Sequence, residues 1–209
     1  MKPRIIVLGM LAKTPVPGVV WQTLHYLLGL RALGFDVLYV EAHGRTPSML
    51  MERDTDDSSA RAAAFIDRTL RPFGLGGSWA FHALHDDGRV YGLSDAALSA
   101  ALRDAELIIN LHGGTMPSEE LAASGRLVYL ETDPVALQIE LHDGDPGAHA
   151  FLEPHCAFFT FAENLGSPGC PLPASEGFPF RPTRQPVANR TFWSLATVNS
   201  APEVRMNSR

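Results

Sequence analysis

Apolar positions along this chain follow two rhythms. Arg4 to Gly9, RIIVLG, is a short, nearly continuous apolar run, the pattern of a strand buried on both faces of a parallel sheet. From Gly18 the rhythm becomes helical: Val20, Leu24, Leu27 and Leu28 share one face, while Gln22 and Arg31 project elsewhere. Gly34 supplies a left-handed stop. Asp36 to Glu41, DVLYVE, is a second buried strand, so the segment predicts a strand-helix-strand unit with a right-handed crossover. In open α/β sheets ligands bind beyond the carboxyl ends of the strands. That rule puts the loop from Met10 to Pro17, and the residues after Glu41, at the mouth of any site.

The pattern repeats downstream. After a polar loop, Ser58 or Ser59 is the expected cap of a helix over Ala60 to Arg71, with Ala64, Ile66 and Leu70 inward and Phe73 to Gly77 breaking it. Trp79 to Leu84 has strand character, Ser94 caps a short helix, and Glu106 to Leu111, ELIINL, is a third buried strand ending in His112-Gly113-Gly114-Thr115. A brief helix near Glu119 to Ala123 precedes the strand Arg126 to Glu131. Asp133 before Pro134 suits a helix start, the helix covering Val135 to Leu141. Ala157 to Gly166 holds a last strand. Strands alternating with helices predict an α/β fold, a doubly wound, mainly parallel Rossmann-like sheet. A cluster of proline and glycine from Gly166 to Pro186 marks the passage from packed domain to loop or linker. Residues 1–187 are therefore read as the Rossmann-like domain and 188–209 as a linker or the truncated start of a second domain.

Composition narrows the partners. A net charge of −6 from 17 basic and 23 acidic residues, with no dense basic block, argues against nucleic acid. Cys156 and Cys170 make no disulfide framework and suit free thiols in a reducing compartment. No apolar run reaches the roughly 20 residues of a membrane span, and no signal peptide is evident, so a cytoplasmic location is expected.

Candidate chemistry collects at three strand ends. Gly113 and Gly114 suit a close backbone approach to a ligand, or a plain tight turn, and Thr115 adds a hydroxyl. His112 and Asp133 are the candidate general bases; a turn histidine and a helix cap are the ordinary readings of the same residues. Trp21 and Gln22 suit an acceptor pocket, the tryptophan by stacking, or a place in the core. His25 fits a helix face better than catalysis. His82, His85, Asp86 and Asp87 lie in a segment read as strand and loop, where a dependable metal site cannot be assembled. Arg181 and Arg184 suit either a phosphate or solvent. The dinucleotide fingerprint, the phosphate loop and the nucleophile elbow are all missing from the sequence.

The loop and helix PGVVWQTLHYLLGLRALGFDVLYVE, with LVYLETDP and FFTFAENLG, resembles the amino-terminal half of GT-B type glycosyltransferases, nearest a poorly characterised bacterial group. The resemblance spans Arg4 to Val187. It implies two Rossmann-like domains facing across a cleft, the amino-terminal one receiving the acceptor and the other binding the nucleotide-sugar, with no metal or other cofactor required. Carried onto this chain, it sets Thr14, Pro17, Gly18, Trp21 and Gln22, the turn His112, Gly113, Gly114 and Thr115, and Glu131 to Asp133 against a small-molecule acceptor. Two departures stand out: the first loop has no histidine before His25, and a donor domain of similar size is expected beyond Arg209. The resulting expectation is half of a hexosyltransferase-like enzyme, inactive until a separate donor-binding domain completes it. Two other classes remain: a non-catalytic module holding a ligand or partner on the same edge, and a nucleotide-dependent oxidoreductase, which the missing glycine fingerprint disfavours.

Overall fold

The computed structural model describes residues 2–187 of the chain. Eight strands form one sheet in the order β4-β3-β2-β1-β5-β6-β7-β8. The strands are β1 (Arg4–Leu8), β2 (Asp36–Ala42), β3 (Trp79–His82), β4 (Val90–Gly92), β5 (Leu107–Leu111), β6 (Leu127–Glu131), β7 (Ala157–Thr160) and β8 (Phe180–Pro182). All neighbours run parallel except β4, which pairs antiparallel with β3. Apart from the two short edges, the sheet has the Rossmann order, with its direction of winding reversing between β1 and β5. The chain has an α/β, doubly wound Rossmann-like fold.

Alternation along the strands decides which helix covers which face. Ile5, Val7, Val37, Tyr39 and Phe81 face α1 (Pro17–Ala32) and α2 (Ser58–Leu70). Ile6, Leu8, Leu38, Val40 and Ala80 face the opposite way, onto Leu98 of α3 (Asp95–Asp104) and Leu121 of α4 (Glu119–Ala123). On that second side Tyr129 and Phe158 pack with Leu141 of α5 (Pro134–His142) and Leu152 of α6 (Pro146–Leu152).

Several expectations need correction. The cap of α2 is Asp57, whose carboxylate accepts from the Ala60 N–H at 2.8 Å, so Ser58 and Ser59 fall inside the first turn. Ala64 is exposed; the buried stripe instead runs through Ser59, Ala62, Ala63, Ile66 and Leu70. The proline- and glycine-rich stretch before Pro186 is not wholly outside the packed sheet, because it contributes β8 beside β7. Helix α6 and strand β4 are additions to the expected elements. The expected linker, 188–209, lies outside the described residues. Among the described residues no helix is long and apolar enough to cross a membrane, and Cys156 and Cys170 are free thiols.

Candidate functional site

The parallel strands deliver their carboxyl ends to one edge, where the loop after β1 is the most constrained. Gly9 lies against the Tyr39 ring: a Cβ there would sit 2.6 Å from Tyr39 Cε2. Beyond it the chain wraps a buried carboxylate. The Leu11 N–H donates to the Tyr39 hydroxyl at 2.9 Å, and the Ala12 and Lys13 N–H groups donate to Glu41 at 2.9 Å each. Tyr39 donates its hydroxyl proton to Glu41 at 2.7 Å, and His43 Nε2 lies 2.9 Å from the same carboxylate. Successive backbone amides in a turn form a nest of the kind that receives phosphate in nucleotide-binding loops. Here Glu41, fully buried at the end of β2, already fills it.

The loop after β5 is tied to both neighbours. A Cβ on Gly114 would come within 3.1 Å of the Gly9 carbonyl oxygen, and one on Gly113, whose φ is 70°, within 3.1 Å of the Phe151 ring. Both positions are tightly packed, and the left-handed backbone at Gly113 favours glycine there in addition. His112 adopts φ 65°, unusual for a residue with a Cβ. Its Nδ1 lies 2.8 Å from Thr132 Oγ1 in the loop after β6, while its Nε2 is buried and unpartnered. With Nδ1–H donating to Thr132, Nε2 carries a lone pair. Burial pushes the imidazole pKa down to about 4, so His112 is neutral at pH 7.

Asp133 follows Thr132 at the rim. It occupies the cap position of α5 but makes no side-chain cap bond, and it is exposed. Glu131 lies under α5, fully buried, accepting from Gln138 Nε2 at 3.2 Å. Burial first, and the Asp133 charge in part, raises its pKa, against hydrogen bonds from Thr160 and Gln138. Thr115 is also buried; its carbonyl accepts from Asn110 Nδ2 at 2.9 Å and its hydroxyl is unpartnered. Asn110 donates in addition to His155 Nε2 at 3.1 Å, and His155 Nδ1 reaches the Leu152 carbonyl at 3.2 Å, a pairing that defines a neutral tautomer.

The remaining candidates spread along the start of α1. Pro17 and Gly18 are exposed, and Thr14 and Gln22 are half-buried. Trp21 stays 38% exposed, its ring set edge-to-face with Phe73 at 6.1 Å between centroids. His85 sits 3.0 Å from Ser58 Oγ and Asp86 accepts from Ser59 at 3.1 Å, beside a stacked His43; His82 belongs to β3. Arg184 forms a two-pronged pair with Glu163 at 2.8 and 2.7 Å, and Arg181 is exposed on β8.

The edge therefore brings together the loop after β1, His112 to Thr115, and Thr132 to Asp133, while Glu131 and Thr115 lie beneath its surface. Sequence reasoning overlooked Glu41, His43, Asn110 and His155. For Glu41 and Asn110 the available signal was a polar residue near the end of an otherwise apolar strand, where a polar group with no solvent must find partners inside. The sequence matches no protein-family profile, and no curated protein is similar to it. Among solved structures, the solution structure of ALG13 is similar at 17% identity, over 69% of this chain and 73% of that one, with a TM-score of 0.31. A likeness at that level carries no functional weight.

Proposed function

We propose that the chain is the acceptor-side half of a GT-B-like glycosyltransferase, its crevice lying beyond the carboxyl ends of β1 and β5, where the winding of the sheet reverses. The observation that supports this reading is the occupied amide nest: Glu41 takes the Ala12 and Lys13 N–H groups that a donor diphosphate would need. The nucleotide-sugar is then held mainly by a second wall, and this edge receives a hydroxylated acceptor. In the transfer, the acceptor oxygen bonds to the anomeric carbon as the bond to the diphosphate breaks. The hydroxyl proton passes to a base, and the nucleoside diphosphate leaves. The exposed Asp133 carboxylate is the group at the surface able to take that proton, and the His112 Nε2 lone pair, buried behind it, would serve only once an acceptor has entered the turn. Trp21 offers an apolar face for a sugar or aromatic acceptor.

A second reading has its own support. An imidazole whose pKa is pushed down to about 4 keeps its lone pair at neutral pH but is a weak base, which suits holding a hydroxyl more than deprotonating it. On that view the chain is a non-catalytic ligand-binding module.

Amide NMR titration of the purified chain tests the proposal. Nucleoside diphosphates should bind no more tightly than about 1 mM, whereas polyhydroxylated acceptors should shift Gly113, Thr132 and Asp133. Submicromolar nucleotide binding centred on Leu11 to Lys13, or robust sugar transfer by this chain alone, would sink the half-enzyme reading. Acceptor binding with no transfer in the presence of any added donor domain would favour the module.

A further inference from the structure

The strand-end edge carries opposite charges toward its two ends. Asp133 sets an exposed carboxylate beyond β6, whereas Lys13 and Arg45 stand beyond β1 and β2. Lys13 is fixed by its own backbone N–H, which donates to Glu41 Oε1 at 2.9 Å. Arg45 lies in an exposed run of three residues, Gly44 to Thr46, whose flanks His43 and Pro47 are both buried. His43 is tied to Glu41 at 2.9 Å. One buried carboxylate therefore anchors both segments that present the cations.

Neither cation has a counter-charge of its own. Among the described residues five arginines have carboxylate partners, and Arg31 and Arg126 donate to backbone carbonyls. No carboxylate among them lies within ion-pair distance of the Lys13 or Arg45 side chain, and Glu41 is committed to backbone amides, Tyr39 and His43. The two charges are close enough to act on each other: burial first, and Arg45 second, lower the Lys13 pKa, with Glu41 opposing them. Holding a half-buried ammonium near a guanidinium is unfavourable, and an anion between them would offset that repulsion.

We propose that Lys13 and Arg45 together hold a phosphate monoester, borne by an acceptor whose hydroxyl faces Asp133. A dianionic phosphate matches the pair of cations in charge, and the guanidinium offers it parallel N–H donors. The spacing sets the size of the molecule. The loops after β1 and β5 touch, since a Cβ on Gly114 would lie 3.1 Å from the Gly9 carbonyl oxygen. From β1 to β6 there are two strand spacings, about 10 Å, the length of an extended polyol phosphate of hexose size. The inference rests on the acceptor reading for the role of this ligand, and not for the binding of phosphate.

Calorimetric titration of the full chain with sorbitol 6-phosphate tests it, at about pH 8, where the phosphate is dianionic, and at ionic strength held constant with sodium chloride. Binding should fall in the millimolar range or tighter, and Lys13→Gln and Arg45→Gln should each weaken it about tenfold. Arg181→Gln, which removes an exposed arginine on β8, should leave it unchanged. Both test positions are away from the core, and amide spectra confirm that the variants fold. An affinity unchanged in both variants, or equalled by sorbitol without its phosphate, would overturn the proposal. Uridine diphosphate binding more tightly than sorbitol 6-phosphate would also overturn it, assigning the cations to the donor. Amide shifts at Lys13 and Arg45 with none at Gly113, Thr132 and Asp133 would support the anion site and remove the acceptor reading, so the two fail separately.

Discussion

A carboxylate with no exposed surface is costly to keep charged unless its lone pairs are occupied. Glu41 meets that condition with the Ala12 and Lys13 amides, the Tyr39 hydroxyl and His43. Glu41→Gln keeps the size but sets an amide NH2 among these donors. The expected loss is about 2–4 kcal/mol, read from the urea midpoint; an unchanged midpoint would mean that the nest does not depend on the charge. Glu131 is the opposite case. It is buried beside Gln138, whose Oε1 lacks a partner, and its pKa is raised chiefly by burial. Glu131→Gln removes the charge and adds a donor that Gln138 Oε1 can receive, so stability at pH 7 should rise by about 1 kcal/mol. If the same variant also abolishes acceptor binding, Glu131 reaches the ligand through more than packing.

At the scale of elements, the legible parts are those whose residues carry their own pattern. RIIVLG, the stripe Val20-Leu24-Leu27-Leu28 and DVLYVE each announce β1, α1 and β2, because burial on two faces or one leaves a periodic trace. Strands β4 and β8 are three residues each, too short for a period, and exist because a longer neighbour offers an edge. Asp57 outcompeted two serines as the α2 cap by a single position, a distinction the sequence does not encode. The strand-end placement of the candidate residues was legible in the sequence, and their chemical surroundings were not. His112 and Asp133 stand at adjacent strand ends as their positions imply, yet the glycines beside His112 answer to Tyr129, Phe151 and Met10, contacts made far along the chain. The junction of β1 with its loop gives a direct test. Gly9→Ala forces a Cβ into the Tyr39 ring and displaces the hydroxyl that holds Leu11 and Glu41. The variant should lose about 2–3 kcal/mol and lose protection of the Leu11 to Lys13 amides from hydrogen exchange; retained protection would show that the ring can move without releasing the loop.

For the whole molecule, buried imidazoles set the response to pH. His112 and His155 sit on the loop after β5 and the turn after α6, and burial takes both to about 4, the second against hydrogen bonds with the Leu152 and Phe151 backbone. Above the unfolded value of about 6.5 both states are neutral and these groups leave stability unchanged. As pH falls below it, the unfolded chain takes up protons that the native state refuses, so stability is lost until the native imidazoles themselves protonate near pH 4. Each contributes at most about 3 kcal/mol to that loss. Glu131, with its pKa raised, acts in the opposite direction: the native state gains its proton first as pH falls, which offsets part of the loss. The carboxylates held down by partners, Asp56 and Glu163, add their losses only at lower pH, below the unfolded carboxylate range. Urea midpoints should therefore fall steadily from pH 7 to pH 5, and His155→Asn should flatten that fall, since an amide cannot titrate. A midpoint flat across that interval, or a slope unchanged in the variant, would mean that His155 exchanges protons with solvent in the native state and that the packing of α6 on β6 and β7 opens far more easily than its buried contacts imply.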